Sequence, residues 1–198
     1  RCDHPDVMEF IEAKIDRGRF ANFNLSVGVT DRFMEAVRRN RGFDLLNPGT
    51  GKRVRTVRAR TIFDLIVYGA WRTGDPGLLF LDTINRQNPT PAVGRLEATN
   101  PCGELPLLPY ESCNLGSLNL ARMVKDGRPD WERMAETIRW GVRFLDNVIE
   151  VNHFPLEQIG AITRANRKIG LGVMGFADML IRLGIPYGSA EAERFARR

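Results

Sequence analysis

Three side chains able to do chemistry stand at alternate positions in one short segment. They are the amide of Asn100, the thiol of Cys102 and the carboxylate of Glu104, and a second thiol, Cys113, follows eleven residues after Cys102. Alternate residues of an extended segment point to the same face. If the segment is extended, a thiol that can form a radical or act as a nucleophile lies beside a proton-accepting carboxylate and an amide that can hold a hydroxyl group. We therefore predict a reaction centre at residues 100–104.

Cys102 allows other interpretations when the residues around it are taken alone. A free cysteine is more often a small buried apolar residue than a catalyst, but Pro101 and Gly103 interrupt regular structure on both sides of it. A cysteine protease would need a histidine base, for which His153 is the only candidate in the middle of the chain. We consider that function the weaker one, since a lone histidine is usually structural. For Cys113, a core thiol and a redox-active thiol fit the spacing equally well.

Length and composition limit the domain organisation and the partners of this protein. The 198 residues suffice for one domain or for part of a larger one, and we expect residues 1–198 to be an internal part of a single catalytic domain whose natural termini lie outside it. The 29 Lys and Arg residues against 24 Asp and Glu residues give a net charge of +5. No basic run reaches five residues, so we interpret the excess as arginines scattered over solvated helix faces and expect no direct nucleic-acid partner.

The cysteine and hydropathy patterns bear on disulfides, metal sites and membrane association. Three cysteines, two histidines and no CxxC pair favour neither a disulfide framework nor a metal site built by the protein. No apolar run is long enough to cross a bilayer, and no signal peptide is recognisable. We therefore expect a cytoplasmic protein with functional thiols and no membrane partner.

Hydrophobic periodicity predicts the elements that must position the site. Helices are predicted over residues 3–14, 31–39, 61–71, 131–149 and 176–183. Strands are predicted over residues 22–30, 78–81 and 169–174, and a hairpin over 43–57. Strand and helix alternate along the chain, which favours an α/β fold with a largely parallel sheet.

Local signals support several of these elements. Thr30 and Asp130 are expected helix caps, Thr61 opens a sequence similar to a capping box, and Gly184 ends the last helix. The strands at 78–81 and 169–174 are expected to be buried on both sides, as in parallel sheets.

The strand at 22–30 alternates apolar residues with small and polar ones. Asn24, Ser26 and Gly28 share one face of this strand. Such a face is usually exposed to solvent, but inside an α/β barrel it would line the lumen, so Asn24 and Ser26 are candidates for bordering a substrate or cofactor cavity.

The segments around the two candidate thiols resemble those of a known enzyme family. Thr-Asn-Pro-Cys-Gly-Glu at 99–104, Pro-Leu-Leu-Pro at 106–109 and Glu-Ser-Cys-Asn-Leu-Gly-Ser-Leu-Asn-Leu at 111–120 closely resemble the catalytic segment of class II, adenosylcobalamin-dependent ribonucleotide reductases. Further segments similar to that family, in the same order along the chain, are residues 22–31, 74–86 and 167–178. The resemblance thus covers essentially the whole chain.

The resemblance implies a ten-stranded α/β barrel whose central finger loop carries Cys102. In that family, cleavage of the cobalt–carbon bond of adenosylcobalamin generates a thiyl radical on the matching cysteine, and the radical takes the 3′ hydrogen of the ribose. Glu104 would act as the base on the 3′ hydroxyl. Asn100 would hydrogen-bond the sugar hydroxyls or accept a proton there, and Pro101 and Gly103 would complete the substrate-binding loop.

The second half of the implied reaction needs a pair of thiols. The 2′ hydroxyl would leave as water while two cysteines supply protons and electrons, and Cys113 matches one of them. The resemblance places its partner upstream of Arg1. Cys2 lies outside the matching motifs, and we expect it to be incidental.

The implied enzyme is an oxidoreductase that makes 2′-deoxyribonucleotides for DNA synthesis. The subfamily's sequence pattern favours ribonucleoside diphosphates as substrates, with adenosylcobalamin as cofactor and thioredoxin or a similar protein as reductant. Deoxynucleotide or ATP effectors would bind elsewhere in the full protein, which we expect to be a homodimer.

Two other functions are compatible with parts of the pattern. The large subunit of a class I reductase, which draws its radical from a separate subunit, also places Asn, Cys and Glu at alternate positions, but the short spacing from Cys102 to Cys113 favours class II. A non-catalytic nucleotide-binding paralogue would be expected to lose Cys102 or Glu104, and this chain has both.

Overall fold

The computed structural model describes residues 1–15 and 20–198, which divide into two units, Arg1–Pro109 and Tyr110–Arg198. The elements of the first unit are α1 (Val7–Glu12), β1 (Ser26–Val29), α2 (Asp31–Arg38), β2 (Gly42–Leu46), β3 (Arg53–Arg58), α3 (Ala59–Thr73), β4 (Gly77–Phe80), α4 (Leu81–Arg86), β5 (Ala98–Thr99) and β6 (Pro106–Leu107). Those of the second are β7 (Asn114–Asn119), β8 (Val124–Lys125), β9 (Arg128–Pro129), α5 (Trp131–Val151), α6 (Glu157–Asn166), β10 (Ile169–Met174), α7 (Phe176–Leu183) and α8 (Ala190–Ala196).

The strands pair two by two. β1 with β4 and β7 with β10 are parallel, while β2–β3, β5–β6 and β8–β9 are antiparallel. The prediction of a mixed α/β fold is confirmed, but that of one largely parallel sheet is not. A barrel requires every strand to be paired along both edges, and the described residues therefore form no closed barrel.

In the first unit, β1 is covered by helices on one face. Val27 and Val29 are buried and share a core with Phe33 of α2 and with Ile62 and Ile66 of α3. The strand is shorter than predicted and begins at residue 26. The predicted cap of α2 is confirmed, because Thr30 Oγ1 accepts the backbone N–H of residue 33 at 3.2 Å.

Helix α3 begins earlier than its capping signal predicted. The prediction placed the start at Thr61, whereas the helix begins at Ala59, directly after β3. The backbone N–H of Ala59 donates to the carbonyl of Arg41 at 3.0 Å. A neighbouring loop therefore satisfies a terminal donor that a capping side chain would otherwise have to satisfy.

In the second unit, α5 covers one face of the β7–β10 pair. Asp130 caps this helix as predicted, accepting the backbone N–H of Arg133 at 3.0 Å. Leu145 of α5 packs over Gly116 of β7 and is buried. On the opposite face, a Cβ on Gly170 would lie 2.4 Å from Leu115 Cδ2, so the missing side chain makes room for that leucine.

The predicted burial of β4 and β10 on both faces is wrong. Phe80 at the end of β4 is 45% exposed, and Val173 of β10 is 66% exposed. Both side chains lie on the face that the helices cover, since Phe80 pairs with Val29 and Val173 pairs with Leu118. The helices therefore leave the ends of these two strands exposed. In α5, which was predicted over residues 131–149, only Leu145 and Ile149 are buried.

The junction between α6 and β10 is fixed by ion pairs. Arg167 has a left-handed backbone with φ of +51° and donates from Nε to Asp146 of α5 at 2.8 Å. This hydrogen bond lowers the pKa of Asp146, and the same contact, with a second one to Glu150, raises the pKa of Arg167. Because the Asp146 pKa is depressed in the folded state, the stability gained from the contact is present above the unfolded pKa and is lost as pH falls through the folded pKa.

Within residues 1–15 and 20–198, no helix has both the length and the apolar character that a membrane span requires.

We expect Gly175→Ala to weaken the β10–α7 junction. Gly175 has φ of +70°, and an added Cβ would lie 2.5 Å from Asn119 Oδ1, so the variant combines backbone strain with a clash. We predict a loss of about 2–4 kcal/mol in the free energy of local opening, measured by native-state hydrogen exchange of the β7 and β10 amides.

Gly184→Ala is the matched control for strain without a clash. Its φ is +72°, but nothing lies within 4 Å of the added Cβ, so we expect a loss of only about 1 kcal/mol. Equal effects of the two substitutions would contradict the close packing of Gly175 against Asn119.

Candidate active site

Residues 100–105 form the tip of a tight hairpin between β5 and β6. One backbone hydrogen bond crosses the tip, in which the N–H of Asn100 donates to the carbonyl of Leu105 at 3.2 Å. The N–H of Gly103 donates to the carbonyl of Asn100 at 3.0 Å and closes a β-turn, and Gly103 has φ of +87°. The extended conformation considered for this segment is therefore not found.

A turn signal was present in the sequence and was missed. Asn at the first position of a β-turn, Pro at the second and Gly at the fourth are a favoured combination, and Asn100-Pro101-Cys102-Gly103 matches it. The turn places Cys102 at its third position, at the outermost part of the hairpin.

Asn100 has its amide oxygen committed to the fold. Oδ1 accepts the backbone N–H of Leu105 at 3.0 Å, which is a second bond across the hairpin. Its Nδ2 group has no partner within residues 1–15 and 20–198. An amide with its oxygen occupied can still donate from nitrogen, so Asn100 is suited to donate a hydrogen bond to a ligand hydroxyl rather than to accept one.

Cys102 and Glu104 are both exposed at the tip. Neither side chain makes a hydrogen bond or ion pair to another described residue. The thiol and the carboxylate thus lie on the same hairpin tip, where both are accessible to a ligand. They do not contact each other.

A cavity of about 240 Å³ lies in the first unit beside this hairpin. Its polar lining comes from three places in the sequence: Arg1, the segment of Asn24 and Ser26 at the start of β1, and the segment of Glu97, Thr99 and Asn100 that leads into the hairpin tip. Asn24 and Ser26 border this cavity, and Asn100 opens onto it. That the cavity binds substrate or cofactor stays a prediction.

An ion pair fixes the segment that carries Asn24. Lys14 Nζ donates to Asp75 Oδ2 at 2.5 Å and also to the carbonyl of Phe23, while the N–H of Leu25 donates to Asp75 Oδ1 at 3.2 Å. Both neighbours of Asn24 are therefore tied to the same pair. No local pattern predicted this contact, because Lys14 and Asp75 are 61 positions apart.

Cys113 lies in the second unit, immediately before β7, and is half-buried. The residues beside it make several side-chain hydrogen bonds. Ser112 Oγ lies 2.9 Å from Thr163 Oγ1, and Asn114 Nδ2 donates to the carbonyl of Leu145 at 2.8 Å. Sequence reasoning did not find these contacts, since they join β7 to helices more than thirty residues away.

Two other residues considered from the sequence, Cys2 and His153, show no sign of a catalytic role. Cys2 is fully buried in the core of the first unit, and burial raises the pKa of its thiol, which is the environment of an inert structural cysteine. His153 is exposed and has no hydrogen-bond partner in the described part of the chain. The thiol–imidazole pair of a cysteine protease is therefore not present among the described residues.

Comparison with known proteins identifies the fold family. The model of the ribonucleotide reductase barrel domain matches residues 1–198. The chain belongs to this family.

Named relatives of this barrel domain are reductases that depend on vitamin B12. A vitamin B12-dependent ribonucleoside-diphosphate reductase of Mycobacterium tuberculosis is 59% identical over 196 residues, which cover 98% of this chain and 28% of the relative. The protein of that name from Thermoplasma acidophilum is 57% identical over 192 residues, with 96% and 25% covered. A vitamin B12-dependent ribonucleotide reductase of Streptomyces avermitilis is 35% identical over 215 residues, with 94% and 22% covered. The chain thus spans about a quarter of the length of these relatives.

The barrel-domain residues fit such a cofactor at one point. The thiol that would receive the radical, Cys102, is exposed at the hairpin tip and accessible to a bulky group, whereas Cys2 is out of reach. The cavity of about 240 Å³ beside Asn100 is too small to enclose a corrin ring, so no residue of that cavity is assigned to holding one. In the described ranges, no group of three or more His, Cys, Asp or Glu residues could hold a metal ion.

We expect Asn100→Ala to loosen the hairpin tip and Asn100→Asp to preserve it. Alanine removes the acceptor for the Leu105 N–H, whereas aspartate keeps an oxygen at the same place. Loss of one hydrogen bond predicts that the Leu105 amide exchanges about tenfold faster in the alanine variant, measured by hydrogen exchange. Unchanged exchange in Asn100→Ala would show that its side chain does not close the hairpin.

Proposed function

We propose that this chain supplies the active-site loop of an adenosylcobalamin-dependent reductase that converts ribonucleoside diphosphates to 2′-deoxyribonucleotides. The observation that carries the proposal is the hairpin tip, where Asn100 opens onto a polar cavity and the Cys102 thiol and Glu104 carboxylate are exposed on the same turn. Membership of the reductase barrel family and the names of the relatives support this function over the class I alternative.

The cavity residues would bind and orient the ribose. The Asn100 NH₂ group would donate to a sugar hydroxyl, and Asn24 and Ser26, which line the same cavity, would supply further polar groups. Fixing the sugar against the hairpin is what makes abstraction of one particular hydrogen possible, because a radical reacts with whichever hydrogen lies nearest. Positioning of this kind can contribute several powers of ten to a rate.

Each side chain at the tip has one role in the proposed reaction. Bound adenosylcobalamin would supply the radical by cleavage of its cobalt–carbon bond. Cys102, as a thiyl radical, would take the 3′ hydrogen of the ribose, and Glu104 would take the proton of the 3′ hydroxyl. Proton transfer to a positioned carboxylate is typically worth about 10²–10⁴-fold in rate.

The overall reaction balances with two further thiols. The carbon–oxygen bond at the 2′ position is replaced by a carbon–hydrogen bond, the oxygen leaves as water, and two thiols become one disulfide. We assign Cys113 as one of these thiols, with its partner in a part of the protein that precedes Arg1. Thioredoxin or a similar dithiol protein would reduce the disulfide again.

We further propose that the two parallel strand pairs belong to a ten-stranded α/β barrel with residues 100–105 as its central finger loop. Ser26 and Gly28 of the first pair share the face that borders the polar cavity, and Ser117 and Gly172 of the second pair are exposed on the face opposite α5. Small and polar residues at such places suit the lumen of a barrel. Residues 1–198 would then form part of one catalytic domain of a cytoplasmic homodimer with effector sites elsewhere.

The test uses the complete protein and ribonucleoside diphosphate reduction with a dithiol, with and without adenosylcobalamin. We expect activity only with the cofactor, no activity in Cys102→Ala, and about 10²–10⁴-fold lower kcat in Glu104→Gln. Cys2→Ala and Asp126→Asn are the matched thiol and carboxylate controls, and both should remain active.

Two results would contradict the proposal. Activity without cobalamin that needs a second subunit would assign the protein to class I. A folded wild-type protein with no reductase activity under either condition would favour the non-catalytic paralogue.

A further inference from the structure

The residue before and the residue after Cys113 are tied by hydrogen bonds to different elements. Ser112 is bonded to Thr163 of α6, which is 3% exposed, and Asn114 is bonded to the carbonyl of Leu145 in α5. The thiol between them is therefore attached to a backbone segment with little freedom to move.

Glu111 adds an ion pair to this arrangement. Its side chain is fully buried, and its two oxygens accept from two residues, Asn166 Nδ2 at 2.8 Å and Lys168 Nζ at 2.5 Å. Lys168 is 16% exposed and immediately precedes β10. The pair thus lies at the beginning of the parallel β7–β10 pair, where Asn114 faces Ile169 in the register.

A pair of this kind needs an explanation other than stability. Removing two charges from water costs about as much as their attraction returns, so apolar residues of similar volume often serve stability equally well. What an ion pair adds is a defined geometry, because each partner has few positions in which its charge is satisfied.

We propose that Glu111 and Lys168 are positioning residues that fix Cys113 at the start of β7 for its thiol chemistry. This inference rests on the proposed function for the redox role of Cys113, but the fixed position itself is a property of the second unit. Neither residue lines the cavity beside Asn100, so the two residues act on the thiol and not on binding of the ribose.

The test replaces the pair by apolar residues in the complete protein. Glu111→Met with Lys168→Met leaves no buried charge unpaired and should fold, whereas either change alone leaves one. We expect kcat for ribonucleotide reduction to fall by about tenfold or more with KM unchanged, since misplacement of a reacting group by about 1 Å has effects of this size.

A second readout does not depend on activity. In the reduced protein without cobalamin, iodoacetamide alkylation of Cys113 is measured relative to Cys102 by peptide mass spectrometry. We expect the ratio to rise about threefold or more in the double variant, because a loosened segment opens more often. Glu111→Gln, which keeps the side-chain shape, should change the ratio in the same direction if the double variant does not fold.

Glu150→Gln is the matched control, since it removes the carboxylate of an exposed ion pair with Arg167, the neighbour of Lys168. It should leave both readouts unchanged. A double variant with kcat and alkylation ratio within about twofold of wild type would overturn the positioning role. The two proposals can also fail separately. If the double variant changes the alkylation ratio but the wild-type protein reduces no ribonucleotide, the positioning role is upheld and the proposed function is refuted.

Discussion

Asn100 holds the hairpin that presents Cys102 by bonding Leu105 through both its backbone and its side chain. The tip itself has no apolar anchor, because Cys102 and Glu104 are exposed. Hydrogen bonds across the base of the turn therefore determine where the thiol lies. Since the same Asn100 side chain lines the cavity, one residue sets the position of the thiol and offers a donor to the ligand. Its amide divides the two tasks, with the oxygen bound to the fold and the nitrogen left for the ligand.

The same physical device recurs at the start of both parallel strand pairs. Lys14 and Asp75 hold the segments entering β1 and β4, and Glu111 and Lys168 hold those entering β7 and β10. Parallel strands have no hairpin to set their register, so contacts between the segments that enter them must do so. In each unit a residue of the candidate site is close to such a pair: the two neighbours of Asn24 are bonded to Lys14 and Asp75, and Cys113 lies two positions after Glu111. These two ion pairs therefore hold both the strands and the neighbouring residues of the candidate site.

The predictions that succeeded rested on local chemistry. Thr30 and Asp130 cap their helices with their own side chains, and the hairpin at 43–57 turns at Asn47, whose Oδ1 accepts two backbone N–H groups. The predictions that failed depended on partners distant in the sequence. The apolar runs of β4 and β10 did not reveal that Phe80 and Val173 are exposed. The 57 positions that separate Glu111 from Lys168 hid the ion pair between them. The extended form considered for residues 100–104 was wrong for a different reason. The turn signal in this segment was local, but the interpretation followed the alternate spacing of the amide, thiol and carboxylate instead.

The proposed reaction requires the hairpin to place Cys102 and Asn100 against the ribose of a nucleotide. The most direct measurement is a structure of the complete protein with a ribonucleoside diphosphate bound. We expect Asn100 Nδ2 to lie about 2.7–3.2 Å from a ribose hydroxyl oxygen, and Cys102 Sγ within van der Waals contact of the 3′ carbon, about 3.5–4.0 Å away. A nucleotide bound with its ribose outside the cavity beside Asn100, or with Cys102 directed away from the sugar, would contradict the proposed reaction.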